Sequence, residues 1–139
     1  MLPTPKAKTG QTMLVLAFVL LAVALLVVPP IVVRLHGVDG AGAPMFRLIL
    51  TLCFVSLVVF ATLGYLMWIG YGWARWISSF LLFAGGFFWL PYLDEFHGTA
   101  KLALIGMILF YLVLAAFLAF SKSIEEFIQE QERFRKINL

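Results

Sequence analysis

The stretch MLVLAFVLLAVALLVVPPIVV, Met13–Val33, carries no charged residue along its whole length. A helix rises about 1.5 Å per residue, so a run of this length covers the roughly 30 Å hydrocarbon core of a bilayer. Three further runs without charge follow it, Leu48–Ile69, Trp76–Leu93 and Leu102–Phe120. The sequence therefore predicts an all-α membrane protein in which four transmembrane helices form an antiparallel bundle.

The size of the chain limits what else it holds. With 139 residues, of which 63% are hydrophobic, it has room for four spans, three connections and two tails, so we expect a single integral membrane domain over residues 1–139. The first run continues past Ala22-Val23-Ala24, which predicts an uncleaved span and not a signal peptide. Ten Lys and Arg exceed seven Asp and Glu, but they are scattered over loops and tails. This pattern excludes a nucleic-acid interface and indicates a topology signal.

The distribution of basic residues predicts the orientation. Seven lie on the side that holds both termini and the predicted loop Gly70–Arg75: Lys6, Lys8, Arg75, Lys122, Arg133, Arg135 and Lys136. Three lie on the opposite side: Arg34, Arg47 and Lys101. Since cytoplasmic segments collect Lys and Arg, we expect a multi-pass protein of a bacterial inner membrane with both termini in the cytoplasm.

Two sequence features in the first half of the chain predict where helices begin and end. Proline lacks a backbone N–H and clashes with the preceding turn, so Pro29-Pro30 is expected to end the first helix, with a kink as the alternative. Residues Arg34–Arg47 contain three glycines and a proline and form the longest predicted loop.

The character of the chain changes after Phe120. Apolar positions recur at helical spacing in the polar tail, which predicts a C-terminal amphipathic helix over 123–138, with Ser123 and Glu126 as a capping box. Three arrangements remain open: the helix lies on the inner leaflet, extends the fourth span, or docks on a partner. In the first and third, its contact residues are Phe127, Ile128, Phe134 and Ile137.

A polar cluster on the predicted outer side is the first candidate for chemistry. It comprises His36, Asp39, Asp94, Glu95 and His97. Two histidines with carboxylates can bind a divalent metal or titrate near neutral pH, but no ligand spacing is present, and solvated loop residues are the preferred interpretation. We expect serine hydroxyls in the spans to bond to carbonyls of their own helix. Phosphate-loop, dinucleotide and zinc-protease motifs are missing from the sequence, so we expect no cofactor and no enzyme.

Aromatic and small residues predict contacts in the membrane. Rings in the third span suggest an interfacial belt or, alternatively, an apolar pocket for lipid, quinone or haem: Phe80, Phe83, Phe87, Phe88, Trp89 and Tyr92. Anchors at the inner interface are Trp73, Arg75 and Trp76. Small residues let helices approach closely in lipid, and the predicted contact positions are Gly64, Gly85, Gly86, Gly106, Ala115 and Ala119.

Two short segments carry a resemblance. Gly70-Tyr71-Gly72-Trp73-Ala74-Arg75 and the later Phe120-Ser121-Lys122-Ser123 resemble a group of small bacterial four-helix integral membrane proteins of unassigned function, with a Gly-x-x-Trp-Ala-Arg turn and a Phe-Ser-x-Ser exit. The resemblance implies the four-helix architecture and no activity.

Two functions fit these observations. Spans without ionisable groups favour a non-enzymatic protein that binds another membrane component, as an accessory subunit or a toxin-neutralising immunity protein. The alternative is a homo-oligomeric channel or transporter with a pore between subunits. The expected partners are the lipid bilayer and a membrane protein or a second copy of the chain.

Overall fold

A computed structural model describes residues 4–35 and 42–138, and the regular structure in these ranges is helical. Helix α1 spans Pro5–Leu35, α2 Gly42–Trp68, α3 Gly72–Phe88, α4 Thr99–Phe120 and α5 Lys122–Asn138, with a 3-10 helix at Leu90–Glu95 between α3 and α4. Within the described ranges, four helices are long and apolar enough to cross a membrane: Pro5–Val28, Leu50–Trp68, Gly72–Glu95 and Thr99–Phe120. The described residues form a helix bundle whose length and composition are consistent with a multi-pass membrane protein.

The first helix is longer than the prolines predict. It continues through Pro29-Pro30 to Leu35, so the expectation that it ends there is wrong. The helix α2 begins at Gly42, inside the predicted loop Arg34–Arg47. Residues 36–41 of the predicted loop lie outside the described residues.

Helix α4 lies at the centre of the packing. It contacts α1 and α3, and its buried positions recur every three or four residues along one broad face. These positions are Ala100, Leu104, Met107, Ile108, Tyr111, Leu114, Ala115, Leu118 and Ala119. Helix α1 buries a narrower stripe: Ala7, Gly10, Leu14, Ala17, Leu21 and Leu25. Spacings of three and four place such residues on one side of a helix.

The turn between α2 and α3 is tight because of a glycine. Gly70 has φ +93°, and its N–H donates to the carbonyl of Met67 while the N–H of Tyr71 donates to that of Leu66, each at 3.0 Å. This pair of bonds is a Schellman motif, which satisfies the last carbonyls of α2 and favours glycine at the left-handed position. Helix α3 then begins at Gly72.

Helix α5 folds back on the rest of the chain. Ser121 has an extended backbone, φ −70° and ψ 111°, so α5 does not continue α4, and that alternative is wrong. Ile124, Phe127 and Ile128 are buried in the same core as α1 and α4. We call α5, residues 4–10 of α1 and residues 70–75 together the α5 layer, because these segments pack on one another.

Candidate functional site

A cavity of about 450 Å³ lies among α1, α2, α3 and α4. Its floor is made of side chains buried in the core, Leu25, Leu82, Met107 and Tyr111. Its rim is made of residues that are exposed on the outer surface of the helices: Leu52, Val55, Val59, Leu81 and Phe88. The cavity therefore opens sideways, toward the medium that surrounds the helices and not along their axis.

The wall of the cavity is uncharged and almost entirely apolar. Aromatic rings of Phe60, Phe88 and Trp89 contribute to it, and Gly85 leaves space where a side chain would stand. A Cβ added to Gly85 would meet no heavy atom within 4 Å. The residues of the wall that carry a polar side-chain group are Cys53, Ser56, Trp89 and Tyr111.

Two further grooves lie on the described helices, and their walls contain fewer polar side chains than the wall of the cavity. One, of about 420 Å³, lies between α1 and α4 beside Gly106, whose added Cβ would also meet nothing within 4 Å. The other, of about 530 Å³, lies between α1 and α2 beside Tyr65 and Trp68. Apart from Tyr65 and Trp68, their walls are made of apolar side chains and glycine, as expected for surfaces that contact acyl chains.

The predicted small contact residues separate into two kinds. A Cβ added to Gly64 would lie 3.1 Å from the nearest ring carbon of Phe18. A Cβ added to Gly86 would lie 3.2 Å from the nearest side-chain carbon of Leu112. Ala115 and Ala119 are buried in α4. Gly85 and Gly106 instead face open grooves of this chain, so a close contact at these two positions stays a prediction for an interface between subunits. Sequence shows that a residue is small but not which side of its helix faces a neighbour.

The serines of the spans differ from expectation. Ser79 Oγ donates to the carbonyl of Ala115 in the neighbouring helix at 2.6 Å. Ser78 Oγ is buried and has no hydrogen-bond partner among the residues that the structure describes. The hydroxyls of Thr51 and Thr62 do donate to carbonyls of their own helix. Ser56 makes no such bond to any residue that the structure describes.

The predicted inner anchors occupy different environments. Trp73 and Trp76 are exposed, as an interfacial belt requires, but Arg75 has only 6% of its surface exposed. Its Nη1 lies 3.7 Å from Glu125 Oε2 of α5, and its guanidinium lies 5.3 Å from the ring centre of Trp76. Arg75 is thus part of the α5 layer and does not point freely to the interface.

Other contacts hold α5 in place. The guanidinium of Arg135 stacks on the ring of Tyr71 at 3.8 Å, and the rings of Phe127 and Trp68 meet edge to face at 5.5 Å. Lys6 Nζ of α1 lies 3.8 Å from Glu126 Oε1 of α5. The predicted capping box is not formed, because no hydrogen bond joins Ser123 and Glu126. Helix α5 instead begins one residue earlier, at Lys122.

The predicted contact residues of the tail are accordingly divided. Phe127 and Ile128 are buried by the chain's own helices, and Phe134 is half-buried. Ile137 is 78% exposed. The part of this face that remains for a membrane surface or a partner is its C-terminal end.

The outer polar cluster is described in part. Asp94, Glu95 and His97 are exposed around the end of the 3-10 helix, while His36 and Asp39 lie outside the described residues. Within residues 4–35 and 42–138, no three His, Cys, Asp or Glu side chains come together as a metal site would require. The aromatic stripe is also split: Phe88 and Trp89 line the cavity, whereas Phe80, Phe83 and Phe87 are exposed.

No family model, curated protein or solved structure matches this chain. The function is therefore argued from the cavity and its surroundings.

Proposed function

We propose that this chain is a non-enzymatic protein of a bacterial inner membrane and that it acts by binding an apolar membrane component in the cavity. The observation that carries the proposal is the 450 Å³ of uncharged space that opens at the side of the bundle. Small-molecule sites in proteins have volumes of roughly 300–1,000 Å³ and walls that are mostly apolar with a few polar groups.

The size of the cavity favours a small molecule over a protein helix. A helix with its side chains is about 10–12 Å across, so a partner helix would cover the opening and insert side chains without entering. An accessory subunit or a toxin-neutralising protein would bind its partner in that way. A lipid-soluble molecule would fill the space itself.

The proposed topology has four antiparallel spans with both termini in the cytoplasm. Its support is the α5 layer, in which the start of α1, the turn at Gly70 and α5 pack together at one end of the helices. Seven of the ten basic residues belong to that side. Cysteine labelling in a Cys53→Ala background should place residues 1, 73 and 139 in the cytoplasm and residues 39 and 97 outside. Termini on opposite faces would contradict this arrangement.

The tail is proposed to be an amphipathic helix whose apolar face serves mainly to close the bundle. Burial of Phe127 and Ile128 against α1 and α3 supports this role. Exposed Ile137 extends the apolar face beyond the bundle, where the inner leaflet or a second protein would meet it.

The binding function is tested with a pair of glycine variants. Gly85→Leu fills the cavity, and Gly106→Leu places the same side chain in the separate groove between α1 and α4, so it controls for the added bulk. Native mass spectrometry from mild detergent, with lipid extraction, should find a near-stoichiometric lipid-soluble molecule on the wild type and on Gly106→Leu but not on Gly85→Leu.

The other outcomes each favour a different function. An identical set of bound molecules in all three proteins would overturn the proposal. A protein that co-purifies in fixed ratio with both variants would indicate an accessory subunit or an immunity protein. A closed ring of identical chains in the native mass would support the channel.

A further inference from the structure

The cavity contains a hydroxyl that the protein does not use. Tyr111 lies halfway along α4, has 6% of its surface exposed and lines the cavity. Its hydroxyl makes no hydrogen bond to any residue within the described ranges. Ser56 and Cys53, on α2, line the same space, and Ser56 also lacks a partner there. Cys53, Ser56, Trp89 and Tyr111 thus bring polar side-chain groups to a cavity whose remaining wall is apolar.

Several other hydroxyls of the spans are bonded by the protein itself. Thr51 and Thr62 donate to carbonyls one turn earlier at 2.8 and 2.9 Å, and Ser79 donates across to α4 at 2.6 Å. In hydrocarbon there is no water to satisfy a free hydroxyl, and each unsatisfied polar group is costly. The cavity groups thus favour an occupant that supplies a hydrogen-bonding atom.

The bilayer makes this hydroxyl decisive for selectivity. A ligand that arrives from lipid gains no hydrophobic free energy, since acyl chains are as apolar as the wall of the cavity. Only packing and hydrogen bonds then distinguish a ligand from ordinary lipid tails. Bound phospholipid keeps its headgroup at the interface, whereas Tyr111 lies at the middle of a span that runs from Thr99 to Phe120.

The wall also indicates the shape of the occupant. The rings of Phe60, Phe88 and Trp89 line the space, and Phe88 and Trp89 meet edge to face at 5.7 Å. Aromatic rings prefer offset or edge contacts with another ring. Among the residues that the structure describes, no charged side chain lines the cavity, so a charged ligand would be bound without compensation.

From these observations we propose that the cavity binds a neutral, ring-bearing, lipid-soluble carbonyl compound, whose carbonyl oxygen accepts a hydrogen bond from the hydroxyl of Tyr111. Isoprenoid quinones belong to this chemical class. The inference rests on the proposed binding function and adds the class of ligand and the residue that selects it. Ser56 on α2 supplies a second hydroxyl to the lining of the same cavity.

A matched pair of probes tests the proposal. Decanophenone and decylbenzene differ by one carbonyl group, and their affinities for the full chain in nanodiscs are measured by calorimetry and expressed per mole of lipid. The wild type should bind the ketone more tightly. One neutral hydrogen bond corresponds to about a twofold to tenfold change in affinity. Tyr111→Phe should remove that advantage and leave the affinity for decylbenzene unchanged.

Control variants separate recognition from damage to the fold. Tyr65→Phe removes a hydroxyl in the groove between α1 and α2 and should change neither affinity. Ser56→Ala removes the second cavity hydroxyl and, if Tyr111→Phe does not insert into nanodiscs, gives the same test with a smaller expected loss for the ketone. Gly85→Leu should weaken both probes.

The possible results separate a failure of this inference from a failure of the proposed binding function. Equal wild-type affinities for the two probes, or no binding of either, would overturn the inference. So would an equal loss for both probes in Tyr111→Phe. If Gly85→Leu weakens both probes while Tyr111→Phe affects neither, the cavity binds apolar molecules without recognising oxygen, and the proposed function survives the failure of this inference.

Discussion

Gly10 of α1 lies directly against the backbone carbonyl of Ser123 at the start of α5. A Cβ at Gly10 would overlap that carbonyl oxygen and lie 3.0 Å from the Cβ of Phe127. The two helices can approach this closely only because position 10 has no side chain. The contact explains how a polar tail is held against the end of an apolar bundle.

We expect Gly10→Ala to loosen α5. Backbone atoms cannot move aside as a flexible side chain can, and overpacking typically costs about 1–3 kcal/mol. Alanine also raises helix propensity by about 1 kcal/mol, so the control is Gly106→Ala, which has the same gain and open space around it. Thermal unfolding in one detergent should give a lower midpoint for Gly10→Ala than for Gly106→Ala, with faster amide exchange in α5. Equal midpoints would refute the contact.

The neighbouring glycines of α3 should respond differently to the same substitution. Gly86→Leu pushes against Leu112 and the carbonyl of Ile108, whereas Gly85→Leu enters the cavity. We expect Gly86→Leu to lower stability by about 1–3 kcal/mol and Gly85→Leu to leave it nearly unchanged. Thermal midpoints in one detergent measure the difference. Greater damage from Gly85→Leu would mean that α3 is rotated relative to this structure.

These glycines show how far the sequence could predict the fold. Charge-free runs are a property of sequence, so the four spanning helices were predictable from composition. The choice between Gly85 and Gly86 depends on the rotation of α3 about its axis, and apolar residues occur on all sides of a helix in lipid. The periodicity that identifies the buried face in water is therefore weak here.

Arg75 illustrates a second limit. The pattern Trp-Ala-Arg at a helix end is typical of interfacial anchors, and both tryptophans of this region are indeed exposed. The burial of Arg75 depends on Glu125, which lies 50 positions later in the chain and reaches Arg75 because α5 folds back. A long-range contact of this kind has no local signal in the sequence. The rings of Phe88 and Trp89 suggested an apolar pocket as an alternative, but the place of Tyr111 in its wall depends on how four helices are arranged.

The pair of Arg75 and Glu125 should stabilise the fold more than the pair of Lys6 and Glu126. The guanidinium of Arg75 is almost buried, so it depends on its partner, whereas Lys6 is exposed to water. A double-mutant cycle with Arg75→Gln and Glu125→Gln should give a coupling free energy of about 1 kcal/mol, because Glu125 is half exposed. The cycle with Lys6→Gln and Glu126→Gln should give less than about 0.5 kcal/mol. The reverse order would show that Glu125 does not pair with Arg75.

The C-terminal end of α5 should be sensitive to acid through Glu132. A hydrogen bond from Lys136 at 2.8 Å, together with the positive charges of Lys136 and Arg135, lowers the pKa of Glu132 below its usual range. A carboxyl with a lowered pKa in the folded state adds stability above its unfolded pKa, and that stability is lost as the pH falls through the folded pKa. When the pH is lowered from about 7 to about 3, the thermal midpoint should fall less for Glu132→Gln than for Glu130→Gln. Equal slopes would contradict the pairing.

The adjacent serines of α3 should respond to alanine with opposite signs. Ser79 Oγ donates to the carbonyl of Ala115 at 2.6 Å, so Ser79→Ala removes a bond between α3 and α4 and should cost about 1 kcal/mol. Ser78 Oγ is fully buried and has no partner within residues 4–35 and 42–138, so Ser78→Ala removes an unsatisfied hydroxyl and should be neutral or stabilising by up to about 1 kcal/mol.

Each serine variant is the control for the other. Both change the same residue type in the same helix, so the gain in helix propensity cancels when their thermal midpoints are compared in one detergent. The difference should be about 1–2 kcal/mol in favour of Ser78→Ala, the sum of the two separate effects. If Ser78→Ala is the more destabilising of the two, its hydroxyl has a bonding partner in the membrane, and the packing of α3 on α4 must place Ser78 rather than Ser79 at a polar contact.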